Sequence, residues 1–174
     1  MADKYALAIL ISGGQTGVDR AALDFAIRNG IKHGGWCPRG RRAEDGVIPQ
    51  QYCLIEADTP LYQQRTRLNV RDSQATLIFC DLKRRSRGTA LTIKCAESMC
   101  KPYMVVDIEH CNGRKILKWL QRVRPQILNV AGPRAGESSR ASLVVDTVLS
   151  SLICADSETN IDWPPKKPVT PNLF

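Results

Sequence analysis

A three-layer, Rossmann-like α/β fold, with a mainly parallel sheet and helices on both faces, is the architecture this 174-residue sequence predicts. Three observations carry that expectation. Short apolar runs alternate with helix-length amphipathic segments, the pattern of βαβ units. Tyr5–Ile11 is apolar almost without interruption, as a strand covered on both faces must be. A glycine turn, Ser12-Gly13-Gly14-Gln15-Thr16-Gly17, then separates that strand from apolar residues spaced helically at 18, 22, 25 and 26.

In chain order, the first helix runs from Val18 to Asn29 and stops at Gly30. Gly35–Cys37 predicts a short strand, 38–51 a long loop, and Tyr52–Glu56 another strand. Leu61–Asp72 reads as a helix with Thr59 or Pro60 at its start. Ala75–Cys80 is strand-like and leads through a basic loop into a helix at Gly88–Met99, which Lys101-Pro102 ends. A strand at Tyr103–Ile108, a helix at Gly113–Arg124 and a strand at Gln126–Ala131 follow. Ser138 or Ser139 is the expected cap of a last helix reaching about Ala155. Residues 1–155 are thus expected to form one ligand-binding domain, with 156–174 as a polar tail holding four prolines between Trp163 and Pro171.

Composition narrows the function. The 43% apolar and 24% charged fractions are those of an ordinary globular domain with a full core. No apolar run approaches the roughly 20 residues that span a bilayer, and no leader is visible, so no membrane role and a cytoplasmic location are expected. Seven cysteines form no CxxC pair, which argues against a protein-ligated metal, and Cys80, Cys95 and Cys154 read as core residues. A disulfide framework is not expected. Twenty-five basic against 17 acidic residues give a net charge of +8, suited to an anionic partner. Aromatics are only 6% and no nucleic-acid motif occurs, so a small anion is favoured over nucleic acid.

Ligands of open α/β sheets bind outside the carboxyl ends of the strands. Three polar, glycine-bearing loops are expected there, at 12–17, 81–89 and 131–138. Gly13, Gly14, Gln15, Thr16 and Gly17 open a helix whose free N–H groups and dipole suit a phosphate. The pattern is neither GxGxxG nor a P-loop. Asp19 either belongs to the first helical turn or accepts hydrogen bonds from a ligand. Ser86, Gly88, Thr89 and Thr92 make a second anion cradle or, alternatively, a helix cap in a solvated loop. Gly132, Pro133 and Arg134 supply a third loop, where the Arg134 fork could clamp a phosphate. In the long loop, Arg39 and Gly40 are ligand candidates, while the neighbouring arginines and carboxylates pair among themselves in the simpler reading. His33 and His110 are isolated. Lys166 and Lys167, in the tail, add only diffuse potential.

Together these motifs resemble a known family. Ser12-Gly-Gly-Gln-Thr-Gly-Val-Asp-Arg-Ala-Ala-Leu-Asp24, Gly35-Trp-Cys-Pro-Arg-Gly40, Ala43-Glu-Asp-Gly46, Thr66-x-x-Asn69-Val-Arg-Asp72, Gly88-Thr-x-Leu-Thr92 and Asn129-Val-Ala-Gly-Pro-Arg134 look like the molybdenum-cofactor carrier proteins. These form a circularly permuted branch of the lysine-decarboxylase-like, LOG-related Rossmann folds. The resemblance implies a protein that binds, stores and protects molybdenum cofactor, an anionic pterin phosphate, and assembles as a homo-oligomer, dimer or tetramer. Molybdoenzymes are the implied recipients. Arg87 stands where the family usually has a second glycine. A nucleotide-ligand sensor is the alternative, and a nucleoside-monophosphate phosphoribohydrolase ranks third. LOG-type hydrolases place a Glu three residues after the Gly-Thr pair, where this chain has Thr92, so the acid–base carboxylate is missing and a binding protein is favoured over an enzyme.

Overall fold

The computed structural model describes residues 7–152; the expected end of the last helix, Cys154 and the proline-rich tail lie outside the described residues. The elements are β1 (Ile9–Ile11), α1 (Val18–Arg28), β2 (Lys32–Gly34), β3 (Trp36–Cys37), β4 (Arg42–Ala43), β5 (Gly46–Val47), β6 (Ile55–Glu56) and α2 (Tyr62–Asp72). The second half holds β7 (Ala75–Cys80), α3 (Arg87–Ser98), β8 (Tyr103–Asp107), α4 (Gly113–Val123), β9 (Ile127–Ala131) and α5 (Ala141–Leu152).

A five-stranded, wholly parallel sheet runs in the order β2-β1-β9-β7-β8. All six residues of β7 are buried, which is why its sequence is apolar at every position but Thr76. Alternation sorts the side chains by face. Leu10, Leu77, Phe79, Leu128 and Val130 join one core with Phe25 of α1, Leu120 of α4 and Val145 of α5. Val70 of α2 packs with Cys95 and Ala96 of α3 in a separate cluster. The layers are therefore α1, α4 and α5 on one face and α2 and α3 on the other, as the expected three-layer fold requires.

This topology locates the binding edge. From β1 the chain moves outward to β2, and from β7 it moves outward the other way to β8, while β9 returns between them. Strand order reverses there, and in open α/β sheets the crevice at such a reversal receives the ligand. The loops after β1, β9 and β7 all open at that edge.

Most differences from expectation lie between α1 and α2. The outer sheet strand is Lys32–Gly34, ahead of the expected 35–37. It is an edge strand with Lys32 exposed, so it lacks the apolar run that marks an inner strand. Trp36-Cys37 instead pairs with Ile55-Glu56 in a separate two-stranded parallel sheet, so only the end of the expected 52–56 strand is extended. Asn69 anchors this small sheet to α2: its side chain accepts from Trp36 N at 2.8 Å and donates to Trp36 O at 2.9 Å. The long loop contains the β4–β5 hairpin, with Glu44-Asp45 as its two-residue turn. The last helix starts at Ala141, later than a cap at Ser138 or Ser139 would have it, because Glu137 N and Ser138 N close a turn onto Arg134 O first.

Candidate functional site

The glycine turn after β1 is built into the molecule. Ser12 Oγ donates to Val130 O at 2.6 Å, tying the end of β1 to β9. Gly17 adopts φ 78°, and a Cβ there would stand 2.5 Å from Pro133 O, so only glycine lets the loops after β1 and β9 touch. Val18 N, in the first turn of α1, donates to Pro133 O at 3.1 Å. Gly17 caps α1 with no side-chain hydrogen bond. The amides of Gly13, Gly14 and Gly17 meet no acceptor among the described residues. Gly14, at φ 75°, lies beneath Leu54 and Ile48, and the Arg65 guanidinium covers Gly13, so both glycines are buried.

Gln15 and Thr16 knit three loops together. Gln15 Oε1 accepts from Thr16 N at 3.0 Å and from Glu44 N, at the hairpin tip, at 2.9 Å. Thr16 Oγ1 accepts from Ala135 N at 3.2 Å and bonds Glu44 Oε1. Gly136 N reaches the same Glu44 oxygen at 3.1 Å. Arg134 is half exposed and shared between two carboxylates, with Nε 3.1 Å from Glu137 Oε1 and 3.7 Å from Glu44 Oε2. Arg20 holds the hairpin from below: it forks onto Asp45, with Nη2 2.8 Å from Oδ1, and its Nε donates to Gly14 O at 3.2 Å. Hydrogen bonding from Arg20 holds the Asp45 carboxyl below the usual carboxylate range.

Asp19 stands in the first turn of α1. Its carboxylate is buried, accepts from Gln15 N at 3.3 Å and pairs with Arg65 Nη1 at 3.1 Å. Burial pushes its carboxyl pKa up, against the pull of Arg65. Arg65 Nε is buried without a hydrogen-bond partner. Arg41 is not part of an ion-pair cluster. At φ 52° its buried side chain donates to the carbonyls of Ile48, Pro49, Leu54 and Tyr52, staking down the segment that covers Gly14.

At the start of α3, Ser86 is the helix cap, accepting from Thr89 N at 3.2 Å. Thr89 Oγ1 lies 3.1 Å from Ser86 Oγ, and Thr92 Oγ1 donates to Gly88 O at 2.9 Å, so these hydroxyls serve the helix itself. Gly88 and its neighbour Arg87 are exposed. Among the described residues, none of Lys83, Arg84, Arg85 and Arg87 forms a salt bridge. Gly132 sits between Val18 and Phe79 O, which sets the β9 loop beside the end of β7. Arg39 and Gly40 follow β3; Arg39 N donates to Thr59 O at 3.0 Å and Gly40 N to Glu56 Oε2 at 2.6 Å. Residues 13–17, 19 and 132–134 are thus linked through direct contacts, whereas 39–40 bond to Thr59 and Glu56 and 86–92 bond among themselves. The residues that sequence reasoning did not single out are Arg65, Arg20 and Glu44. Glu44 was visible only within the Ala43-Glu-Asp-Gly46 motif of the resemblance.

No described helix is long and apolar enough to cross a membrane. Six described cysteines are free thiols, and no described group of three or more His, Cys, Asp or Glu could hold a metal.

A parallel α/β sheet with a glycine turn at its reversal point, locked to the loop after β9, defines a Rossmann-like α/β fold. The chain matches the circularly permutated YpsA SLOG family over residues 10–153. It belongs to that family. It is also similar to a crystal structure from Syntrophus aciditrophicus named "Putative molybdenum carrier protein", at 41% identity and a TM-score of 0.82, covering 87% of this chain and 98% of that one. No curated protein matches it.

Proposed function

We propose that the protein is a carrier that binds, stores and protects an anionic pterin phosphate, the molybdenum cofactor, at the carboxyl edge where the loops after β1, β7 and β9 meet. One observation carries the reading: two helices, α1 and α3, begin at this edge on either side of β9, and both present N–H groups toward it. The buried glycine amides and the unpartnered Arg65 Nε are donors without acceptors, a surplus that suits an anion. Exposed Arg87 and Gly88 offer the more open approach. The name of the Syntrophus aciditrophicus protein supports a molybdenum-bearing ligand over other anions.

In this reading the phosphate is held by Gly88, Arg87 and Arg134, and the glycine turn 13–17 forms the floor. When bound, the cofactor brings molybdenum on its own dithiolene, and the chain's part is to hold the phosphate and exclude water. Thr92, buried and bonded to Gly88 O, offers no carboxylate for ribose chemistry, which supports carriage over hydrolysis. The reading extends to a single domain over residues 1–155, a dimer or tetramer, cytoplasmic residence, and molybdoenzymes as recipients.

Gly88→Val tests it with the fold kept, because a Cβ at 88 has nothing nearer than Ser86 Oγ at 3.7 Å. The melting temperature is expected to stay within about 2 °C of wild type, the scale of a surface substitution. Affinity for an oxidised pterin phosphate, read by calorimetry, is expected to fall about ten-fold or more, because the added side chain blocks the approach of the phosphate to the backbone N–H at 88 and one hydrogen bond to a charged group is lost. An unchanged affinity would remove the α3 start from the site.

A further inference from the structure

The hairpin tip places a carboxylate among donors. Thr16 Oγ1 accepts from Ala135 N, so its single proton is left to donate to Glu44 Oε1. Gly136 N donates to the same oxygen at 3.1 Å, and a Cβ at 136 would stand 3.2 Å from Glu44 Oε2. Arg134 Nε lies 3.7 Å from Oε2. A hydroxyl proton, a backbone amide and a guanidinium thus converge on one carboxylate, the surroundings of a bound anion. The Glu44 side chain is 26% exposed and reaches this place from a hairpin of two two-residue strands, an element with little stability of its own.

We propose that Thr16, Arg134 and Gly136 form an anion subsite that Glu44 fills as a self-ligand, and that a phosphate group enters it by displacing the β4–β5 tip. This rests on the reading that the carboxyl edge takes an anion. With Glu44 seated, Arg134 already faces two carboxylates, Glu44 and Glu137, and an incoming phosphate meets net negative charge. Once the tip has swung out, three donors are released together. The tip's other ties, Gln15 Oε1 to Glu44 N and Arg20 to Asp45, run to the glycine turn and α1, so opening the hairpin breaks these as well.

The test uses the full chain and inorganic phosphate as probe. Calorimetry is run on wild type, Glu44→Ala, Glu44→Gln and Glu137→Gln, and amide shifts are followed by NMR. Glu44→Ala empties the subsite and is expected to bind phosphate about ten-fold or more tighter, with Gly136 N–H among the largest shifts. Glu44→Gln keeps the acceptor but loses the charge, so it falls between. Glu137→Gln removes an equal charge beside Arg134 while leaving Glu44 seated, and is expected to gain less than about three-fold. Equal gains for Glu137→Gln and Glu44→Ala would overturn displacement in favour of net charge. No gain in Glu44→Ala would overturn it as well. In that case phosphate shifts at Gly88 would still uphold the anion-binding edge, and their absence would remove that reading too.

Discussion

Replacing Arg65 by alanine is expected to cost the fold about 3–5 kcal/mol, the penalty of stranding a buried charge. Asp19 is 2% exposed and Arg65 is its ion-pair partner, at 3.1 Å. Without the guanidinium the carboxylate keeps the Gln15 N–H as its hydrogen-bond donor. The same change uncovers Gly13, over which Arg65 lies. Urea denaturation measures the loss, and a double mutant checks its cause. Asp19→Asn added to Arg65→Ala removes the stranded charge and is expected to recover part of the stability. Additive losses, or a loss below about 1 kcal/mol for Arg65→Ala, would mean the pair is solvated rather than built in.

Arg41→Ala is expected to have a comparable effect, by a different route. Its guanidinium satisfies four carbonyls between Ile48 and Leu54, a segment that holds no helix or strand and precedes the two-residue β6. Each charge-assisted bond contributes about 1.5–3 kcal/mol, though not additively, so a loss above about 3 kcal/mol is expected. Lysine at 41 carries a single ammonium that cannot match the planar fork, and Arg41→Lys is expected to recover less than half. The damage is local. Hydrogen exchange is expected to speed most at Ile48, Leu54 and Ile55, whose amides bond Arg41 O, Tyr52 O and Gly35 O. Uniform acceleration across β7 and β9 instead would mean that the segment is part of the global folding unit.

The sheet's inner strands were legible because burial on both faces writes itself into local sequence. Ala75–Cys80 is apolar at every position but Thr76, and Thr76 Oγ1 accepts from Asn129 within the sheet. Helix ends at Gly30 and before Pro102 were legible for equally local reasons, a positive φ and a missing N–H. Lys32–Gly34 was not, since an edge strand carries polar residues that no periodicity distinguishes from a loop. Nor could the place of β9, between β1 and β7, be read from any local pattern. The candidate site divides in the same way. Glycines at strand ends announced the edge, whereas Arg65 meets Asp19 across 46 residues of chain and Glu44 meets Gly136 across 92. Such pairings depend on tertiary closure, and nothing in the spacing of the residues encodes them.

Mass spectrometry of small molecules released by denaturing the freshly purified full chain is the most direct test of the carrier reading. A pterin phosphate, or its oxidation product, is expected in wild type and strongly reduced in Gly88→Val purified in parallel. A released nucleotide in place of the pterin, or a pterin yield unchanged by Gly88→Val, would contradict carriage of the cofactor at this edge.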